Sequence, residues 1–143
     1  MNDFRLDPQL ERDCFVLGDL GTSLLLLLDN ALVPWFIVVP RVAVTEVYEL
    51  AREAQLLLLD QVNALSRLLK EELGVDKINV AAIGNVVRQL HVHVVGRREG
   101  DFRWPGVVWG AQGKQGYTPD EVERMRGLVA AALGEAFTPA SGD

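Results

Sequence analysis

The chain has 143 residues, enough for one domain with a substantial core and too few for two. Its formal charge of -6 argues against a surface for long DNA or RNA, but leaves room for a mononucleotide site served by a few local cations. One cysteine, Cys14, excludes an internal disulfide and suits a reducing compartment. Residues 1–13 lack the apolar stretch of a signal peptide, and no apolar run is long enough to cross a bilayer, so we expect a cytoplasmic protein without a membrane partner.

In chain order, residues 1–13 are polar, with a short helical turn possible from Asp7-Pro8-Gln9-Leu10. Residues 14–17 read as a strand, residues 18–21 as a turn, and residues 23–28 as a second strand, which together make a hairpin. Residues 29–32 form a loop before a third strand, 35–39, closed by Pro40. Residues 45–73 carry apolar side chains at spacings of three and four, the signature of a long helix. Thr45 is the expected cap and Gly74 the stop. Residues 77–83 are a fourth strand, Gly84-Asn85 a bend, and residues 89–95 a fifth strand.

Residues 96–117 show little periodicity and read as irregular. Thr118-Pro119-Asp120-Glu121 is a capping box with proline at the first helical position, and it opens a C-terminal helix that runs through Leu133. Residues 1–137 thus form one expected domain, and residues 138–143 a disordered tail. Strands and helices without a regular βαβ alternation predict an α+β fold, with an antiparallel sheet of about five strands, one long helix and a C-terminal helix.

The fifth strand carries the chemistry. Side chains alternate faces along a strand, so Leu90, Val92 and Val94 share a core face while Gln89, His91, His93 and Val95 share the other. Both histidines of the chain stand in this row. Three readings compete for it. The histidines can simply cover a solvated sheet face. They can hold a metal, although a zinc site wants a third protein ligand that this segment does not offer. Or a neutral imidazole can attack phosphorus with one ring nitrogen while neighbouring groups bind the phosphate oxygens. Arg88, Arg97, Arg98 and Arg103 favour the third, since they gather near this strand in an acidic chain.

The stretch QLHVHVVGR resembles the signature of the histidine triad (HIT) superfamily, in which histidine alternates with hydrophobic residues three times and two further hydrophobics follow. WFIVVPR, a long helix and INVAAIGNVV precede it in the family's order, and the later RWPGVVWG is similar to bacterial HIT-like proteins with the same glutamine variant. The resemblance covers residues 15 to about 105. It implies an antiparallel α+β domain, usually a homodimer, that hydrolyses or transfers nucleotides. Cleavage at the α-phosphate of nucleoside phosphoramidates or dinucleoside polyphosphates passes through a nucleotidyl-histidine intermediate, and neither a metal nor another cofactor is implied.

Carried onto this chain, the resemblance makes His91 the nucleophile and His93 its catalytic companion at the phosphate. Gln89 stands where the family has its first histidine and cannot titrate near neutral pH. Asn85 and Asn79 fall where polar residues contact phosphate, so Gln89, Asn85 and Asn79 are the expected phosphate-binding set. Val86 replaces a frequent serine or threonine. Asp29 or Asn30 would hold the ribose. Trp35 occupies the place of a usual histidine, and either packs or stacks on a base. The competing reading of the same motif is a nucleotide-binding protein whose degraded triad has lost chemistry.

Overall fold

A strand of consecutive leucines has no polar face to offer water, so it must be covered on both sides. In the computed structural model, which describes residues 3–141, the leucine strand β2 (Ser23–Leu28) is a central strand, with apolar clusters on both faces. Leu25 and Leu27 belong to one cluster and Leu26 to the other, which explains the missing polar alternation. The other strands are β1 (Cys14–Asp19), β3 (Trp35–Pro40), β4 (Lys77–Ala81), β5 (Val92–Arg97) and β6 (Thr138–Pro139). They form one antiparallel sheet in the order β4-β5-β3-β2-β1-β6. The expected α+β architecture is therefore present, with six strands rather than about five.

The first cluster lies between the sheet and two helices, α2 (Arg52–Glu71) and α3 (Pro119–Leu133). Leu58, Val62, Leu65 and Leu69 of α2 and Val122 and Val129 of α3 meet Phe36, Val38, Val92 and Val94 of the sheet there. The second cluster covers the opposite face with the short helix α1 (Pro8–Asp13), Val87 and Val108. Asp7 caps α1 by accepting the Gln9 N–H at 2.8 Å.

Besides shifts of two residues, such as β4 ending at Ala81 rather than 83, β1 running to Asp19 rather than 17 and α2 ending at Glu71 rather than 73, three boundaries differ from the sequence reading in ways that shape the fold. The long helix begins at Arg52 rather than Thr45. A separate 3-10 turn, Val47–Glu49, precedes it, closed by a capping box in which Glu49 accepts the Glu46 N–H at 3.1 Å. Leu50 and Ala51 are then extended, and Leu50 enters the core. The histidine strand begins at Val92 rather than Gln89, because its pairing with β3 reaches only Val38↔Val92 and with β4 only Ala81↔His93. At its far end Gly96 lies so close to Val75, Leu69 and Pro34 that a Cβ would stand 2.7 Å from the nearest carbon.

The third difference is at the C-terminus. Thr138 and Pro139, expected in a disordered tail, pair with Asp19 and Gly18 of β1. The last two residues of that expected tail lie outside the described residues. A bulge between Val16 and Gly18 bends β1, and the buried Arg126 of α3 donates to the Val16 and Leu17 carbonyls at 3.0 Å each. The Ala140 N–H also reaches the Leu17 carbonyl at 3.0 Å, so helix, bulge and C-terminal strand are fastened at one place. Among the described residues no helix is long and apolar enough to cross a membrane.

Candidate active site

Parity along β5 puts His93 and Val95 on the face of the second cluster, with His91 just before the strand on the same side. His93 is paired in register with Ile37 of β3, two residues from the Trp35↔Val95 pair and on the same face. This face is not solvated. His91 is 5% exposed and His93 8%, and their rings meet edge to face with centroids 5.0 Å apart.

Each ring is locked at Nδ1, in opposite senses. His91 Nδ1 lies 2.7 Å from the Gln89 carbonyl oxygen. A carbonyl can only accept, so this nitrogen carries a proton, and in the neutral ring Nε2 keeps the free electron pair. His93 Nδ1 lies 2.9 Å from the indole nitrogen of Trp35. An indole can only donate, so His93 Nδ1 accepts and its proton sits on Nε2. Burial, with a smaller contribution from His91, lowers the His93 pKa to about 4. The pair therefore offers a fixed nucleophilic nitrogen on one ring and a fixed neutral donor on the other.

The remaining expected residues divide into two places. Gln89, Arg88 and Gly84 line a recess of about 20 Å³ beside His91, together with Thr45 and Glu46. Asn85 follows Gly84 in the bend and is exposed. Gln89 itself is tied by both ends of its amide to residues 5–7. Asn79 on β4 accepts from Arg97 at 3.0 Å.

Asp29 and Asn30 lie at a separate, larger cleft of about 330 Å³, lined also by Trp35, Trp109, Phe102 and Lys114. Neither histidine lines this cleft. The link between the two places is aromatic: Trp109 stands edge-on to His93 at 5.5 Å and to Trp35 at 5.7 Å. Asn30 is buried and uses its amide to hold the chain, accepting from Leu32 and Gln115 and donating to Gly113, each at 3.2 Å. Asp29 accepts the Tyr117 N–H at 2.9 Å.

Of the four clustered arginines, only Arg88 lines the recess of His91. Arg97 is buried in a two-point pair with Asp101, at 2.8 and 2.9 Å, and lies over the Trp104 ring at 5.6 Å. That hydrogen bonding holds the Asp101 pKa down to about 2. Arg98 donates to the Leu73 carbonyl. Cys14 is not a candidate nucleophile, because burial and the nearby Asp13 and Asp29 push its thiol up to about 12. Among the described residues no group of three or more His, Cys, Asp or Glu side chains is placed to hold a metal.

Two features of the site escaped the sequence. Trp35 was open to packing or stacking, and its role as the hydrogen-bond donor to His93 follows only from the β3–β5 register. Trp109 sits in a segment without periodicity, and nothing local indicates that it covers His93.

The protein-family profile described as HIT domain matches residues 9–100. A histidine triad (HIT) protein from Sinorhizobium meliloti 1021 is 41% identical, with a TM-score of 0.89 and coverage of 93% of this chain and 99% of that one. A histidine triad protein from Marinobacter aquaeolei VT8 is 40% identical, with a TM-score of 0.88 and coverage of 93% and 98%. A histidine triad protein from Bradyrhizobium japonicum is 36% identical, with a TM-score of 0.86 and coverage of 91% and 98%. No curated protein matches the chain at a significant level.

Proposed function

The chain belongs to the HIT domain family, and from that premise we propose that it is a nucleotide hydrolase or nucleotidyl transferase working through His91. The observation that carries this reading is the tautomer pair. His91 Nε2 attacks the α-phosphorus of a nucleoside phosphoramidate or dinucleoside polyphosphate, and the bond from phosphorus to the leaving group breaks. The imidazolium so formed keeps its Nδ1 proton against the Gln89 carbonyl, 2.7 Å away. Water, or another acceptor in a transferase, then displaces Nε2 and releases the nucleotide. His93 Nε2–H donates to a phosphoryl oxygen as charge develops there. Asn85 and Arg88 supply further contacts at the mouth of the recess. Asp29 and the aromatic walls of the larger cleft suit the nucleoside. We further propose a homodimer, supported by the exposed leucines of α2 and by the position of β4 at the edge of the sheet.

A second reading has its own observation. His91 is 5% exposed and its recess holds about 20 Å³, too little for a whole nucleotide. A protein that binds nucleotides in the larger cleft without chemistry would show the same closed recess.

Intact-protein mass spectrometry separates the two. The protein is mixed briefly with adenosine 5'-phosphoramidate or a diadenosine polyphosphate and quenched without acid, since phosphoramidate bonds are acid-labile. A nucleotidyl adduct or released nucleotide that is absent from His91→Ala is the expected result. Binding with neither adduct nor release would overturn the enzyme reading in favour of the binding protein.

A further inference from the structure

Residues 82–91 form neither helix nor strand, yet His91 is held in one tautomer at the end of that stretch. A β-ladder does not hold it, because pairing begins only at Val92 and His93. The side chain of Gln89 bridges instead to the other end of the chain. Its Nε2 donates to the Arg5 carbonyl at 2.8 Å, and its Oε1 accepts the Asp7 N–H at 2.8 Å. An amide that offers its donor and acceptor side by side to a carbonyl and an N–H two residues apart mimics a rung of sheet pairing. The segment it grips is itself anchored: Phe4, Leu6 and Leu10 pack into the cluster that contains Trp35 and Val87, and Asp7 caps α1. The main-chain carbonyl of the same Gln89 accepts the His91 Nδ1–H.

We propose that Gln89 is a positioning residue: by fastening its amide to residues 5–7 it fixes its own carbonyl, and that carbonyl holds His91 with Nε2 free to attack. The first place of the triad has thus passed from chemistry to architecture, and the N-terminal segment is part of the His91 site. A neutral imidazole at position 89 also has one donor and one acceptor, but they diverge across a ring and cannot face one stretch of backbone side by side. The consequence for catalysis rests on His91 being the nucleophile; the tautomer itself does not, and it is measurable without substrate.

The chain has only two histidines, so a long-range 1H–15N spectrum of its imidazoles contains two ring patterns. Recorded on the ligand-free protein at about pH 8, where unperturbed imidazole is neutral, wild type is expected to show Nδ1–H at His91 and Nε2–H at His93. Gln89→Met keeps the length of the side chain and removes both polar atoms. It is expected to move His91 toward the mixed tautomers of free imidazole, while His93 stays in place on Trp35. Gln89→Glu keeps the acceptor for Asp7 and loses the donor to Arg5, so its shift is expected to be smaller; it also serves if the methionine variant does not fold.

Amide exchange over residues 5–13 is followed in the same samples. Faster exchange with an unchanged His91 tautomer would overturn the proposal and leave Gln89 as a structural tie only. A wild-type His91 protonated at Nε2 would overturn it outright. In turnover, Gln89→Met is expected to lower kcat several-fold, by about the fraction of the Nδ1–H tautomer that is lost, with little change in KM. If the tautomers are as stated but no nucleotidyl-His91 forms, the proposed enzyme fails and the positioning role of Gln89 stands.

Discussion

His93 stays uncharged because ionising it would place a charge in an apolar layer, among two indoles and a second imidazole. The unfolded chain has no such constraint and its histidines protonate near 6.5. Between pH 6.5 and about 4 the unfolded state therefore binds a proton that the native state refuses. Stability is present above this window and is lost as pH falls through it, by something on the order of 3 kcal/mol for a shift of this size. His93→Gln, which keeps an acceptor for Trp35, is expected to have a flatter stability profile across the window. Equal acid slopes for the two proteins in urea melts at several pH values would show that His93 is not the group responsible.

The same neutrality bears on the leaving group. An amine needs a proton to depart from phosphorus, whereas a polyphosphate leaves as an anion. Gln89 has no proton to titrate, and the Nε2–H of a neutral His93 is too weak an acid to transfer. Arg88, at the recess, suits a departing anion. We expect kcat/KM for a diadenosine polyphosphate to exceed that for adenosine 5'-phosphoramidate by at least about tenfold. Among the described residues Glu46 is the one carboxyl on the recess, and Glu46→Gln is expected to leave that preference unchanged. Equal rates for the two substrates would mean that a proton donor has been overlooked.

At the scale of elements, the C-terminal strand depends on a glycine. A Cβ at Gly18 would stand 2.3 Å from the Thr138 carbonyl and 2.6 Å from the Phe137 ring. Phe137 is buried in the cluster beneath α2 and α3. Gly18→Ala is therefore expected to displace Phe137 and β6, destabilising the fold by about 1–3 kcal/mol. A thermal melt unchanged from wild type would disprove the close approach. The elements that were legible in the sequence are those with local causes. Parity separated Leu90, Val92 and Val94 from His91 and His93, and the Thr118 capping box marked the start of α3. What was not legible has distant causes. Nothing near Thr138 announces a strand, because its partner is β1 and its anchor is a bulge held by Arg126. That the histidine face is covered was not legible, because the segments that cover it, which contribute Phe4, Leu6, Leu10, Val108 and Trp109, lack periodicity. Gln89 read as a phosphate contact because its partners lie 82 and 84 positions away.

For the whole molecule, the question is what covers the far side of α2 and the edge of β4. Leu56, Leu57 and Leu59 are each about half exposed on α2, and Val80 is half exposed on β4. β4 ends the sheet opposite β6, so among the described residues one of its sides has no strand beside it. An unpaired edge next to apolar side chains is unstable in isolation and invites a second chain. Two copies that joined their β4 edges around a two-fold axis would extend the sheet and bring the two α2 helices side by side in one isologous contact. A stable contact of this kind buries about 800 Å² on each side. Sedimentation equilibrium is expected to give twice the monomer mass for wild type. Leu59→Glu, on the side of α2 away from Leu57 and its recess against Thr22, Ser23 and Pro40, places a charge in the contact and is expected to yield monomers that keep the secondary structure of wild type. A wild-type protein that sediments as a monomer would sink the dimer. A dimer indifferent to Leu59→Glu would move the contact to another face, and then the exposed α2 leucines would need a different occupant.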